Sequence, residues 1–533
     1  MCGISCAISK EKNVNSDVIN NLLQVQNRGY DSYGLFNGKE VYKQVGKMDI
    51  SDKISMSPSN ICISHTRWAT HGNICRKNTH PIIENDVGIV HNGIVDNMKD
   101  IINDYQLTNF QSDTDTEVIL KLYINFFTKT NNCLESIKNV RELLKGSNSF
   151  IILHSGLLYY SAMNMPLIIF KDAYMACVTS EPVNWSRDGY YRRETNSFGC
   201  ISADIDIKNI LYKVDTKKIK FSSNSMLNEI TEQFDIIKNI TNKEEIDVKN
   251  NISIYGCGSS YNACLLYKYC VDMFFPDNNV NVFDACLYTN TKTNTNHNDL
   301  DVFVSQSGET RDILDILYNR GNCDRTLAII NNNNSTLSQS VNSFININTG
   351  KELAVASTKS YIASFLNLIY SSKIDLSKVN VTMESINIDI IKNIATTIQR
   401  KKSLFICGWD CVTHSIAMEV ALKIKEITYI HAEAINLKSL KHGPFALLDE
   451  SCGIIIIEPY VKNLKMNAII SEISCRISPS NIIQFSECFS DNKGVIDYIL
   501  YQCISGQLLA YYTSIGLGID PCFPRNIAKV ITV

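Results

Sequence analysis

The sequence lacks most of what would place it in a specialised class. Its 51 basic and 54 acidic residues leave a formal charge of only -3, so nothing in the charge balance asks for nucleic acid or an acidic membrane surface. No uninterrupted apolar run approaches a membrane span, and the amino terminus has no apolar core of a secretory signal. The 19 cysteines are scattered, with no CxxC pair and no His/Cys spacing of a zinc site, which argues against a disulfide framework and against a metal. No GxxxxGK[ST] loop is present, and no third glycine completes a dinucleotide fingerprint, so no cofactor is expected. These absences leave a soluble, cytoplasmic chain with reduced thiols. Its 45% apolar residues and 533-residue length suffice for roughly three or four domains.

The texture changes along the chain. Short alternating runs, such as "ICISHTRWAT" (61–70), "VGIVHNGIV" (87–95) and "SFIILHSGLLYYSA" (149–162), predict antiparallel sheets. From about residue 250, strand, loop and helix follow one another in "NISIYGCGSSYNACLLYKYCVDMF" (251–274) and "DLDVFVSQSGETRDILDILYNRG" (299–321), which predicts parallel sheets. The segment 402–426 repeats the pattern, so two similar α/β units stand in tandem. Between the two textures, residues 224–247 carry helical spacing with a polar composition and read as a linker helix.

Cys2 directly follows the initiator methionine. Trimming of Met1 would leave one carbon bearing both a thiol and a free amine, with pKa values near ~8.5 and ~8, so the amine can take the thiol proton during attack. An early buried cysteine is the plainer alternative. Around it in sequence, Arg67 has the fork to take an α-carboxylate and Asp115 the charge to take an α-ammonium. Asn92 with the Gly93 backbone suits an oxyanion hole, although an Asn-Gly pair between apolar runs also makes a hairpin turn. His65, His71, His80 and His91 sit on separate segments without metal spacing.

In the second half, "GCGSS" (256–260) and "SQSGET" (305–310) each place small hydroxyl residues before a helix, where unpaired N–H groups favour an anion. Together they read as a phosphate cradle. Lys423 and Glu426 are three apart and share a helix face, as a surface ion pair would. Nothing in spacing alone selects His442 or Lys529.

"RGYDS", "HTRWATHG", "HNG" and "TDTE" behind Cys2 resemble class II glutamine amidotransferases, which use a mature N-terminal cysteine to release ammonia from glutamine. "CGSSYNA", "SQSGET", "ELAVASTKSY", "ALKIKEITYIHAEA", "LKHGP" and "PRNIAKVITV" resemble the sugar isomerase domains of the glutamine–fructose-6-phosphate aminotransferase family, in the right order over nearly the whole chain. The resemblance implies an N-terminal-nucleophile four-layer sandwich (2–215), a linker (216–248), two doubly wound parallel-sheet sugar isomerase domains (249–390 and 391–520) and a tail (521–533) that completes the sugar and ammonia-channel site. It implies Arg67, Trp68, Thr70, His71, His80, Gly93 and Asp115 as the glutamine pocket, with Trp68 as gate, and Asn92 with Gly93 as the oxyanion hole. Ser259, Ser260, Ser305, Gln306, Ser307 and Thr310 hold the phosphosugar, and Val355 and Ala528 contact it. Lys529 forms the imine with C2, Glu426 moves the proton between C1 and C2, His442 opens the ring, and Lys423 supports them. The implied partners are glutamine, fructose 6-phosphate and a second copy of the chain, whose His442 loop reaches across a homodimer.

Four departures from the family pattern stand out. Ser439 replaces a usual Glu, "AMNMPLIIF" (162–170) lacks a usual Arg-Gly-Ser, "DPCFPRN" (520–526) alters the entry to the tail, and the sequence ends at Val533 where the family normally adds a Glu. Other amidotransferases of the class do not fit, because no phosphoribosyl-pyrophosphate loop or SGGxDS motif follows. A non-catalytic phosphosugar sensor would not need Cys2, Glu426, His442 and Lys529 together.

Overall fold

A computed structural model describes all residues except 1, 50, 51, 53, 184–188, 207–224, 243, 289–298, 320–324, 462, 490–493 and 530–533; Met1, the start of the linker (216–224) and Val533 thus lie outside the described residues. The chain divides into two compact units, Met1–Lys220 with Ala528–Val533, and Phe221–Ile527.

The strands of the first unit are β1 (Gly3–Ser9), β2 (Ser32–Phe36), β3 (Val41–Val45), β4 (Ile61–Arg67), β5 (Ile82–Glu84), β6 (Val87–Gly93), β7 (Asn148–His154), β8 (Leu157–Met163), β9 (Leu167–Lys171), β10 (Met175–Thr179), β11 (Tyr190–Glu194) and β12 (Phe198–Ile201). They form two antiparallel sheets, in the orders β11-β9-β10-β1-β4-β2-β3 and β12-β8-β7-β6-β5. The helices are α1 (Asn15–Val25), α2 (Met98–Asp104), α3 (Asp115–Thr130) and α4 (Cys133–Leu143).

Strand alternation sets the layers. Ile4, Cys6 and Ile8 of β1 point with Ile63 of β4 into the core between the sheets, where they meet Val90, Ile151 and Leu153. Ala7 and Cys62 face the opposite way, onto Val18, Leu22 and Val25 of α1. On the far side, Ile89, Phe150 and Ile152 pack against Ile119, Leu122 and Tyr123 of α3 and Val140 of α4. The order is helix, sheet, sheet, helix, the four-layer sandwich that the resemblance implies.

The second unit opens with α5 (Ser225–Lys238), followed by β13 (Ile252–Gly256), α6 (Ser259–Phe274), β14 (Val280–Asp284), β15 (Leu300–Val304), α7 (Arg311–Asn319), β16 (Thr326–Ile330), α8 (Thr336–Ser340), β17 (Ser343–Asn346) and α9 (Lys359–Ser371). After α10 (Ile388–Ile398) come β18 (Ser403–Gly408), α11 (Cys411–Thr428), β19 (His431–Asn436), β20 (Cys452–Ile457), α12 (Leu464–Ser474), β21 (Ile482–Gln484) and α13 (Val495–Gly516). Both sheets are parallel, ordered β14-β13-β15-β16-β17 and β19-β18-β20-β21. Each places its first strand between its second and third, so the tandem repeat read from the sequence is one of topology.

The two sheets share one core, in which Leu266 and Tyr267 of α6, Ile416 and Val420 of α11, and Ile504 and Leu508 of α13 are buried together. Helix α5 belongs to that core as well. Its Met226, Ile230, Phe234 and Ile237 are buried at helical spacing, each contributing about 1.5–3 kcal/mol of apolar burial. The segment whose polar composition reads as a linker therefore carries an apolar stripe. No described helix is long and apolar enough to cross a membrane, the largely buried α13 included.

Three histidines cluster inside the first unit. His65 Nε2 lies 2.8 Å from the His91 carbonyl, and the His65 and His80 rings are 4.4 Å apart. Burial pushes His65 down to about 3, and lowers His80 and His91 as well. The unfolded chain would protonate these rings near ~6.5, so below that pH it binds more protons than the folded unit. Stability contributed by the cluster is therefore full above about pH 6.5 and falls towards the folded values, by about 1.4 kcal/mol per pH unit and ring. Amide exchange of β1 and β4 should lose protection between about pH 7 and pH 5, and lose less in His80→Phe. Protection that does not change across that interval would contradict the assignment.

Candidate active site

Cys2 is fixed by its neighbours on three sides. The Arg28 guanidinium donates to its carbonyl at 3.2 Å, and Gly3 N–H donates to Thr66 Oγ1 at 3.1 Å. The Trp68 N–H points at Sγ from 3.2 Å. The thiol is buried, which raises its pKa, while the Trp68 N–H and the Arg67 charge pull it back down. A donor aimed at sulfur favours the thiolate when the nucleophile forms. Segment 67–69 is itself held from below, since Asp31 accepts the Ala69 N–H at 2.8 Å. Arg28 and Asp31 thus give the "RGYDS" motif its task of positioning. The sequence reading quoted the motif without assigning these residues a role.

Asn92 and Gly93 end β6, inside the second sheet rather than at a hairpin tip. The Asn92 side chain is buried beside the His65 ring, and neither of its polar atoms makes a hydrogen bond of good geometry. Gly93 has φ +139°, and a Cβ there would come within 2.3 Å of the Ser147 carbonyl, so no side chain fits. Asp115 is buried at the first turn of α3, where it accepts the Val95 N–H at 3.1 Å. One of its oxygens is 3.7 Å from His71 Nδ1 and the other 3.9 Å from His91 Nδ1.

Arg67 differs from its simplest reading. Its guanidinium donates to the carbonyls of His71, Gly72 and Asn73, so it clasps the loop that carries Thr70 and His71. Thr70 is exposed, Trp68 and His71 are half-buried, and His80 is buried against His65. His65 bonds to the His91 carbonyl, His91 to the Thr116 hydroxyl and the Asn148 amide, and His80 to the His65 ring. Among the described residues they form no metal-ligand group.

In the second unit, the two hydroxyl-rich loops follow β13 and β15. These strands pair directly and are the first and third of their sheet. Their carboxyl ends flank the switch point of strand order, where open α/β sheets leave a crevice for ligands. Helix α6 follows Gly258 (φ +54°), which offers no side-chain cap, and the Ser260 N–H donates to the Cys257 carbonyl at 3.1 Å, so the positive end of the helix carries no acidic group. Within the second loop Ser305 Oγ accepts the Gly308 N–H at 3.1 Å and lies 2.8 Å from Thr310 Oγ1, and Ser307 Oγ accepts the Glu309 N–H at 3.1 Å. Ser260, Gln306 and Ser307 are half-buried. The equivalent turn of the second sheet differs in charge, because Asp410 caps α11 through Thr413 N at 2.8 Å. An acidic cap at that position repels anions.

A buried charge cluster adjoins it. Lys423 donates to Glu426 at 2.5 Å and lies 3.4 Å from Glu419. Glu419 also accepts Ser259 Oγ at 2.9 Å and Asn262 Nδ2 at 2.8 Å. Burial raises the Glu419 pKa despite Lys423. For Lys423, burial alone would lower the pKa, but Glu419 and Glu426 outweigh it and hold the amine above its ordinary value. The Lys423–Glu426 pair is thus no surface bridge: Lys423 is fully buried and Glu426 partly so. Glu419 escaped the sequence reading because i,i+4 spacing to a lysine is commonplace on exposed helices.

Val355 lies in a loop held by two carboxylates, Glu352, which accepts Thr358 N at 2.9 Å and Ser360 Oγ at 2.7 Å, and Glu229 of α5, which accepts the N–H groups of Leu353 and Ala354. The Val355 N–H donates to the Cys522 carbonyl at 3.1 Å. His442 is exposed on the short turn Leu437–His442, which also carries Ser439. Ala528 and Lys529 belong to the first unit, with the Lys529 N–H donating to the Asn27 carbonyl at 3.3 Å.

Residues 1–139 match the glutamine amidotransferase domain family and residues 245–369 the SIS domain family. The chain is 34% identical to the glutamine–fructose-6-phosphate aminotransferase (isomerizing) of Buchnera aphidicola subsp. Baizongia pistaciae, covering all of both chains. It is 30% identical to a probable enzyme of that name from Acanthamoeba polyphaga mimivirus, again over all of both. Among solved structures, the C-terminal domain of glucosamine-fructose-6-phosphate aminotransferase from Francisella tularensis aligns with 56% of this chain and 98% of its own, at 25% identity and a TM-score of 0.49.

Removing one partner of a buried ion pair leaves an uncompensated charge. Glu419→Ala should therefore destabilise the second unit by about 3–5 kcal/mol, read from urea dependence of amide exchange in α6 and α11. Glu426→Ala should cost less, since its side chain reaches solvent. A loss below about 1 kcal/mol for Glu419→Ala, the range of a surface pair, would mean that the cluster is solvated.

Proposed function

Because this chain belongs to the glutamine–fructose-6-phosphate aminotransferase family, we propose that its two clusters divide one reaction: glutamine and fructose 6-phosphate become glutamate and glucosamine 6-phosphate, the first step of amino-sugar synthesis. The observation that carries this reading is the full-length relationship, with both constellations present in one chain.

In the first unit, Cys2 Sγ attacks the glutamine carboxamide while its α-amine, freed by removal of Met1, takes the thiol proton. Charge on the carbonyl oxygen is met by Asn92 Nδ2 and the Gly93 N–H. The burial of the Asn92 amide next to Gly93 at the end of β6 supports that role. Asp115 takes the α-ammonium and Arg67 the α-carboxylate, with Thr70, His71 and His80 completing the pocket and Trp68 as its gate. Because Arg67 holds the 71–73 loop, binding of substrate and ordering of that loop are coupled through one guanidinium. Collapse of the tetrahedral intermediate releases ammonia and leaves a thioester, which water hydrolyses to glutamate.

In the second unit, the uncapped start of α6 with Ser259 and Ser260, and the loop with Ser305, Gln306, Ser307 and Thr310, hold the phosphate. His442 opens the sugar ring. Lys529, carried on the tail rather than on the second unit, condenses with the C2 ketone, expelling water, and ammonia then replaces the lysine at C2. Glu426 carries a proton from C1 to C2, turning the ketimine into the aldose with its 2-amino group. Lys423, buried between Glu419 and Glu426, sets the position of the Glu426 carboxylate. Val355 and Ala528 line the sugar. The exposure of His442 supports its donation to a second copy of the chain in a homodimer.

The halves should separate chemically. Cys2→Ala should abolish glutamine-dependent amination while leaving slow conversion of fructose 6-phosphate to glucose 6-phosphate. Glu426→Gln should slow isomerisation by about 10²–10⁴ and spare glutamine hydrolysis. Loss of both activities in Cys2→Ala would contradict the division. Asn92→Ala should slow glutamine hydrolysis by about 10²–10³ with little change in KM; a rise in KM alone would make Asn92 a binding residue. Borohydride should trap sugar on the wild-type chain and not on Lys529→Arg, and trapping that persists would put the imine on another lysine.

A further inference from the structure

Three side chains outside both clusters converge at the carboxyl edge of the first parallel sheet. Cys257 follows β13, Asp284 ends β14, and Cys286 lies two residues further on. The pairing of Gly256 with Asp284, extended by an Ala285 N–H bond to the Gly256 carbonyl at 2.9 Å, draws the segments together. As a result the two sulfurs and a carboxylate oxygen all lie within 4.8 Å of one another. Asp284 Oδ1 accepts the Cys286 N–H at 3.0 Å, and the Cys286 thiol donates to Asp312 Oδ2 at 3.6 Å. The group thus has two thiols, two carboxylates and no basic side chain. Cys286 is exposed, so solvent reaches the group, whereas Cys257 and Asp284 are half-buried.

Two sulfurs with a carboxylate suit a tetrahedral thiophilic cation. Metal–sulfur bonds of about 2.3 Å and metal–oxygen bonds of about 2.0–2.2 Å place such ligand atoms roughly 3.5–4 Å apart, a spacing that small side-chain rotations reach from here. Calcium and magnesium would demand oxygen ligands in larger number. We propose that Cys257, Asp284 and Cys286 form a binding site for a thiophilic divalent cation of the zinc class, with Asp312 or water in the fourth position. Binding forms two metal–sulfur bonds and releases both thiol protons to solvent, with no change of oxidation state. The cation would fix Cys257, and with it the turn that leads into Gly258 and Ser259. The site does not depend on the functional assignment of the chain.

The test uses the full-length, reduced chain and cobalt(II) alone as probe. Titration of the wild type should give a thiolate-to-cobalt charge-transfer band and tetrahedral d–d bands, saturating at one site per chain. Both signals should vanish in Cys286→Ser and weaken strongly in Asp284→Asn, while Asp312→Asn lowers affinity by about 10–100-fold, as expected of a supporting group. Control substitution of the exposed Cys475 should change nothing. Retention of the full signal in Cys286→Ser, or in Asp284→Asn should Cys286→Ser fail to fold, would overturn the proposal. So would the absence of any tetrahedral signal in the wild type, including the case in which the chain instead loses two hydrogens to a Cys257–Cys286 disulfide on exposure to oxidised glutathione.

Discussion

A single buried carboxylate, Glu419, ties the second unit together. It receives Ser259 and Asn262 from α6, the helix that starts at the hydroxyl-rich loop, and shares Lys423 with Glu426 on α11. Because a buried charge is tolerated only when paired and hydrogen-bonded, none of these groups can leave without stranding another. The loop helix of one sheet and the charged helix of the other are thereby fixed relative to each other, which a shared apolar core alone would leave free to slide. The same pairing holds the Lys423 and Glu426 side chains in one arrangement, the fixed geometry on which the proposed proton transfer relies.

The first unit solves a different problem, that of holding the start of a chain still. Chain ends normally fray. Here β1 is an interior strand of its sheet, Arg28 grips the Cys2 carbonyl and Thr66 grips the next N–H. The antiparallel sheets also place Asn92 at the end of β6, a strand of the second sheet, so Cys2 and Asn92 come from different layers of the sandwich. In the duplicated parallel sheets, one topology serves two purposes. The first turn has no side-chain cap at Gly258, while the second is capped by Asp410, so the two halves differ in charge at one equivalent position.

Much of this was legible in the sequence, for identifiable reasons. Period-two alternation in β1 and β4 and the strand–loop–helix repeats gave the sheet types, because those patterns report which faces are buried. Cys2, the "HNG" motif and the two hydroxyl loops stood out because their chemistry depends on local spacing. Glu419 did not, since its partners Ser259 and Asn262 are distant in sequence and its i,i+4 lysine looks like a solvated pair. The packing role of α5 was hidden by its polar composition, which masks the stripe of Met226, Ile230, Phe234 and Ile237. The Cys257, Asp284 and Cys286 group was invisible as well, because only the pairing of β13 with β14 brings it together. Lys529 and His442 were selected by resemblance alone, and no pattern in their own neighbourhoods would have chosen them.

The central claim is that one chain joins glutamine hydrolysis to sugar isomerisation. Glutamine labelled with ¹⁵N in the side-chain amide, supplied with fructose 6-phosphate and an excess of unlabelled ammonium, tests it most directly. The account predicts glutamate and glucosamine 6-phosphate in equal amounts, with the label on the sugar nitrogen. Glutamate without amino sugar, or amino sugar whose nitrogen comes from the free ammonium, would contradict it.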